Sequence, residues 1–232
     1  NVNDGTGFVP APDGTGIGFA ILGGPGSFTS ANPCFTSGGT GSCTINLSSS
    51  VTGWTTVRAA ALVAVGGVVM NPFTGDGRPG DSGDANKLWV NAKISISPSA
   101  TNEVGQPHTF TVTVMYDTGT GTFIPAPGEH VNVTLTDSNG ASHTAPTGTC
   151  TNAGGNTDAN GQCTITFTSN GAGKVTGHAS STLSVNGSAF FTVATDGSSP
   201  NSGDVVKTFV DANIALSPLS ATNEVGQHHV VT

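Results

Sequence analysis

The chain has 232 residues, with 6 Lys or Arg against 14 Asp or Glu and a net charge of −8. Charged residues are 9% of the chain, against about a quarter in ordinary proteins, so there is no clustered positive charge to displace counterions from nucleic acid or an anionic membrane. With 34 Gly, one Tyr and abundant Ser, Thr and Val, the composition suits pleated strands joined by Gly turns and excludes a helix bundle.

Along the chain, Ile17-Gly18-Phe19-Ala20-Ile21 alternates with the period of a half-buried strand. The longest apolar run, Ala59 to Met70, has 12 residues and is broken by Gly66 and Gly67; crossing a bilayer takes about 20, so no membrane span is expected. Further alternating segments are Thr109 to Tyr116, Val131 to Thr136 and Cys163 to Phe167. Between them stand turn signals at Asp137-Ser138-Asn139-Gly140, Asp158-Ala159-Asn160-Gly161 and Asn186-Gly187. Strands spaced in this way predict an all-β fold of tandem immunoglobulin-like antiparallel β-sandwiches.

Self-comparison gives the organisation. Val90-Asn91-Ala92-Lys93-Ile94-Ser95-Ile96-Ser97-Pro98 returns as Val210-Asp211-Ala212-Asn213-Ile214-Ala215-Leu216-Ser217-Pro218, and Thr101 to Gln106 returns unchanged as Thr222 to Gln227. The spacing is 120 to 121 residues. Gly41-Ser42-Cys43-Thr44-Ile45 likewise matches Gly161-Gln162-Cys163-Thr164-Ile165. The expected division is 1–89, an Ig-like domain lacking its first strands; 90–209, a complete one; and 210–232, the opening strands of a next one. On this alignment Thr232 corresponds to Thr111 and Asn1 to Tyr116, so the chain is expected to be a two-domain window cut within a strand.

The stretch Thr157-Asp158-Ala159-Asn160-Gly161-Gln162-Cys163-Thr164-Ile165-Thr166-Phe167-Thr168-Ser169, followed by Gly171-Ala172-Gly173-Lys174-Val175-Thr176, resembles the signature of bacterial Ig-like repeats of the invasin and intimin (Big-1) type. The resemblance covers the whole central unit and, more loosely, the first. It implies a stiff module of an extracellular stalk, adhesin or fibre at a bacterial surface, and it carries no catalytic residue.

Four cysteines fall as two pairs at corresponding places, Cys34 with Cys43 and Cys150 with Cys163. A duplicated pair without His or a third Cys at metal spacing favours two local disulfides over zinc, and with them an oxidising compartment. A second repeated feature is Asp76, Asp81 and Asp84, matched by Asp196, Asn201 and Asp204. Oxygens gathered at a domain junction would suit Ca²⁺, while Asp and Gly in a linker serve equally as turn formers. Trp89 and Phe209 precede the repeated Val and are expected to pack at the junctions. No Gly-x-Ser-x-Gly elbow or assignable Ser, His and Asp set is present, so the expectation is a protein that is not an enzyme.

The reading that follows is a structural subunit of an extracellular filament or surface stalk, its partners being copies of itself arranged head-to-tail. The joining strand is expected to carry Ile214, Leu216 and Val225, by donation to a neighbour or by covalent continuity. The rivals are an adhesin whose loops bind a receptor or glycan, and an accessory domain of a secreted enzyme.

Overall fold

A computed structural model describes residues 1–187 and 189–232, which form strands joined by turns; Thr149–Thr151, a 3-10 turn, is the one helical element among the described residues. Before Val90 the strands are β1 (Val2–Asn3), β2 (Phe8–Val9), β3 (Gly16–Gly23), β4 (Ser27–Phe28), β5 (Cys34–Phe35), β6 (Leu47–Ser48), β7 (Gly53–Ala61), β8 (Val63–Val65), β9 (Val68–Met70) and β10 (Ala85–Trp89). Their main sheet has the order β10-β7-β3-β5, accompanied by the two-stranded pieces β1-β2, β4-β6 and β8-β9. We call these elements the first unit.

Register fixes which residues of this sheet share a face. Ile17, Phe19 and Ile21 on β3 stand opposite Ala61, Ala59 and Val57 on β7. Across β7, Ala85, Lys87 and Trp89 on β10 stand opposite Val57, Thr55 and Gly53. Because directly opposed residues lie on one side of a sheet, these alternate positions make one largely apolar face. Its β3 and β7 members other than Thr55 are not fully buried, and Lys87 is exposed. Among the described residues before Val90, Ala11 is the one buried apolar side chain.

After Val90 come β11 (Asn91–Ser97), β12 (Ala100–Glu103), β13 (His108–Asp117), β14 (Ile124–Pro125), β15 (Val131–Ser138), β16 (Gln162–Phe167), β17 (Gly173–Val185), β18 (Ala189–Ala194) and β19 (Val205–Val210), here the second unit. They form two sheets: β11-β13-β14 with β16 on β13, and β12-β19-β17-β15 with β18 on β17. All these pairings are antiparallel except β12 with β19. Ile94 and Ile96 from β11 and Phe110, Val112 and Val114 from β13 pack against Val175, Val205 and Phe209 of the other sheet in one buried cluster. This is the layered packing of an Ig-like sandwich.

The two units differ by what covers the sheet. By the repeat and the sheet order, β10, β7 and β3 correspond to β19, β17 and β15; in the second unit β12 extends that sheet at the β19 edge, and β11 and β13, with β16, form the sheet packed over it. In the first unit the stretch Cys43 to Leu47 keeps the alternating exposure of β16 but forms a strand only at Leu47. The reason is the missing neighbour: β16 is held by β13 along its length, from His108 opposite Phe167 to Thr113 opposite Gln162. Residues 211–232, which repeat β11 to the start of β13, form no strand and are exposed throughout.

Candidate functional site

Of the carboxylates expected to share a cation, Asp81 is exposed and the others meet partners of their own. Asp84 accepts from Arg58 Nη2 at 2.8 Å and Nε at 3.2 Å, and from Thr74 Oγ1 at 2.8 Å. The Arg58 hydrogen bonds, with Thr74 in support, hold its carboxyl below the ordinary value. Asp204 repeats the arrangement with His178 Nδ1 and Thr195 Oγ1, both at 2.7 Å. Asp76 lies 3.4 Å from Arg78 Nε. Asp196 accepts the Ser198 amide at 2.9 Å, which holds that carboxyl low. Asn201 turns its carbonyl oxygen to the amide of Ile94 at 3.1 Å.

Asp84, Asp204 and Asp196 are thus each engaged by neighbouring donors. Among the described residues no three His, Cys, Asp or Glu side chains gather where they could hold a metal. A strand cation or imidazole and a threonine satisfy Asp84 and Asp204 locally, and both loops are closed by a backbone bond, Gly75 to Ser82 at 2.8 Å and Gly197 to Ser202 at 3.0 Å. In each copy the last carboxylate of the motif, Asp84 or Asp204, is bonded to a side chain of the neighbouring strand, Arg58 or His178.

Cys34 is bonded to Cys43 and Cys150 to Cys163, with Cα separations of 5.9 Å and 5.0 Å. The second pair lies in the core and the first is half-buried. Phe209, expected at the junction, instead lies inside the sandwich, 6.2 Å from the Phe167 ring. It is on the inner face of β19, where the opposing sheet covers it. Trp89 donates its indole N–H to Thr55 Oγ1 at 2.8 Å.

Sequence reasoning missed two features. The first is a contact between the units at Asp117, which is buried and accepts Thr52 Oγ1 at 2.7 Å and the amides of Gly119, Thr120 and Gly121 at 2.9, 2.9 and 3.2 Å. Burial opposes ionisation there, but these four donors prevail and keep the carboxyl below its ordinary value. The second is Lys207, with no exposure, its Nζ 5.3 Å over the Phe209 ring and without a hydrogen-bond partner among the described residues. Burial pushes its pKa down. Burial also lowers that of His108, and the charge of Lys207 adds to the effect. The alternation Val205, Lys207, Phe209 was the available signal, since it puts the lysine on the inner face.

The remaining candidate residues stand in the open. Ile214 is 98% and Val225 100% exposed, and Leu216 58%; in the second unit Ile94 and Ile96, the counterparts of Ile214 and Leu216, are buried. The segment pairs with itself, Ser217 and Thr232 exchanging two backbone hydrogen bonds at 2.9 Å. Ser97 and Thr111, their counterparts, are partners where β11 meets β13.

No protein-family model and no curated protein matches the sequence. Among solved structures, the chain is similar to the Escherichia coli adhesin FdeC at 14% identity and a TM-score of 0.29, covering 90% of this chain and 55% of that one. It is also similar to the Yersinia pseudotuberculosis adhesin InvE at 16% identity and a TM-score of 0.24, covering 80% of this chain and 50% of that one. The chain thus spans about half the length of these structures.

Proposed function

We propose that the chain is a structural subunit of an extracellular filament or surface stalk, in which Ig-like units are joined head-to-tail and do mechanical rather than chemical work. The observation that carries this reading is a reciprocity within one chain. The first unit presents a sheet whose apolar face is only partly covered, with Phe28 against Phe19, and residues 210–232 repeat β11 and the start of β13, which pack over the corresponding sheet in the second unit, together with its edge strand β12. An uncovered sheet edge and face are costly in water and favour completion by an added strand. The two disulfides suit an oxidising location outside the cell.

Joining takes either of two forms, covalent continuity into a following unit or donation of the segment to a separate chain. The test is light scattering and electron microscopy of the 232-residue chain beside a chain ending at Phe209. Concentration-dependent growth into linear particles is expected for the first and monomers for the second. Filaments from the shortened chain would remove the basis for this reading, and a full chain that stays monomeric at every concentration would remove donation to a separate chain.

A further inference from the structure

We infer that residues 211–232 of a second copy of this chain seat in the first unit in one fixed register: Ile214 and Leu216 enter the cleft bounded by Asp81 and Ser82, and residues 221–224 add as a parallel strand to the free edge of β10. This rests on the head-to-tail reading and adds to it the receiving residues and the register.

The second unit supplies the template. The amide of Ile94 donates to Asn201 Oδ1 at 3.1 Å, its carbonyl accepts the Ser202 amide at 3.0 Å, and the Ile96 amide donates to Ser202 Oγ at 3.2 Å. Asp81 and Ser82 stand at the corresponding places of the first unit. There they line a cleft of about 270 Å³ with Ile17, Ala59, Phe73 and Thr74. The cleft has an apolar floor beside a backbone-recognising rim, which is what an incoming strand with alternate apolar side chains requires. A carboxylate at Asp81 retains the acceptor that Asn201 provides.

The sheet edge gives the same register independently. In the second unit β12 runs parallel to β19, with Ala100, Thr101, Asn102 and Glu103 opposite Lys207, Thr208, Phe209 and Val210. Carried across by the repeat, Ala221, Thr222, Asn223 and Glu224 stand opposite Lys87, Leu88, Trp89 and Val90. β10 is the edge strand of its sheet, so that side is open to addition. Lys87 sits 5.5 Å over the Trp89 ring as Lys207 sits over Phe209, yet it is exposed. The seated segment covers it and brings His229 to the place His108 holds beside Lys207.

The segment carries the shape it needs. Gln227 donates its amide to Glu224 at 3.1 Å, as Gln106 does to Glu103 at 3.2 Å. Asn223 Nδ2 donates to the His228 carbonyl at 3.1 Å, as Asn102 does to Pro107 at 3.2 Å. With the Ser217–Thr232 pair, the bend between the two strands is formed before docking, which lowers the entropy lost on binding.

The register is read by mixing a Leu88→Cys chain with a Thr222→Cys chain under mild oxidation, native disulfides intact, beside a mixture of Asn86→Cys with Thr222→Cys. The 88–222 mixture is expected to give the covalent heterodimer at least tenfold faster than the 86–222 mixture. On the unsubstituted chain, amides of residues 212–217 and 221–225 are expected to gain hydrogen-exchange protection on assembly. Assembly with equal cross-linking at 86 and 88, or without protection of these amides, overturns the register and leaves head-to-tail joining standing. Cross-linking of a Leu88→Cys/Thr222→Cys chain within its own monomer, or absence of any assembly, overturns the second copy as occupant.

Discussion

Replacing Lys207 by Met changes one group at a site where the opposing effects can be weighed. The lysine stem already packs in the core, and Met keeps nearly the same length and shape. The substitution removes a buried amine that has no partner among the described residues, a gain of about 1–3 kcal/mol. It also removes an ammonium 5.3 Å over the Phe209 ring, a loss of about 0.5–2 kcal/mol. The net expectation is stabilisation by about 1 kcal/mol at pH 7, or a rise in Tm of about 4 °C for a unit of this size. The pH dependence sharpens the test. The folded pKa lies below the ordinary 10.5, so between the two values the unfolded chain binds more protons and stability rises with pH. Below that window the penalty is complete, and above it there is none. The advantage of Lys207→Met is therefore full below the folded pKa and shrinks as pH rises from there toward 10.5. Calorimetry of the full chain at pH 7 and pH 10, with hydrogen exchange of β13 and β19 amides to assign the transition, reads both effects. A variant less stable at pH 7, or an advantage that grows with pH, would refute the reasoning.

Changing Cys150 and Cys163 together to Ala opens a loop with a separation of 13 residues and is expected to cost about 3 kcal/mol by chain entropy, read as an earlier urea midpoint for the second unit. Asp84→Asn is expected to destabilise the first unit at neutral pH. The folded carboxyl lies below its ordinary 3.8, so its contribution is present above that value and is lost as pH falls through the folded pKa. Urea unfolding followed by Trp54 and Trp89, both in the first unit, checks this; a deficit undiminished at the lowest pH would show that charge is not its origin.

The repeat made most of the fold legible. Alternation at Thr109 to Tyr116, Val131 to Thr136 and Cys163 to Phe167 corresponds to β13, β15 and β16, because apolar residues at period two find an opposing layer in that unit. The same alternation at Cys43 to Leu47 did not become a full strand, since hydrogen bonding across a sheet needs a partner that local sequence does not contain. The partners of the acidic repeats were hidden for a related reason. Spacing showed that Asp76, Asp81 and Asp84 recur, but only the fold shows that Arg58 reaches Asp84 from β7, 26 residues earlier. Long-range partners of this kind leave no mark at the acidic segment itself. Lys207 is the converse case, since the strand period placed it inward while its residue type argued for the surface.

The geometry of the proposed joint also sets the kind of assembly it makes. One side is the cleft at Asp81 and Ser82 with the β10 edge, and the other is the segment 211–232, so the two surfaces are different and the contact is heterologous. A contact of that kind propagates unless its rotation closes a ring. On docking, Ile214, Leu216 and Val231 leave water, where they are 98%, 58% and 54% exposed, at roughly 1.5–3 kcal/mol for each side chain fully buried. Against this stands the ordering of the segment at about 1–2 kcal/mol for each backbone position newly fixed, so that only a few newly fixed positions already offset the gain. The balance therefore turns on how much of the segment is already ordered. The Ser217–Thr232 pair and the Glu224–Gln227 turn decide it, because positions they hold add little further cost. Loosening that bend, by changing Asn223 or Gly226, weakens the joint without touching a single residue of the receiving cleft.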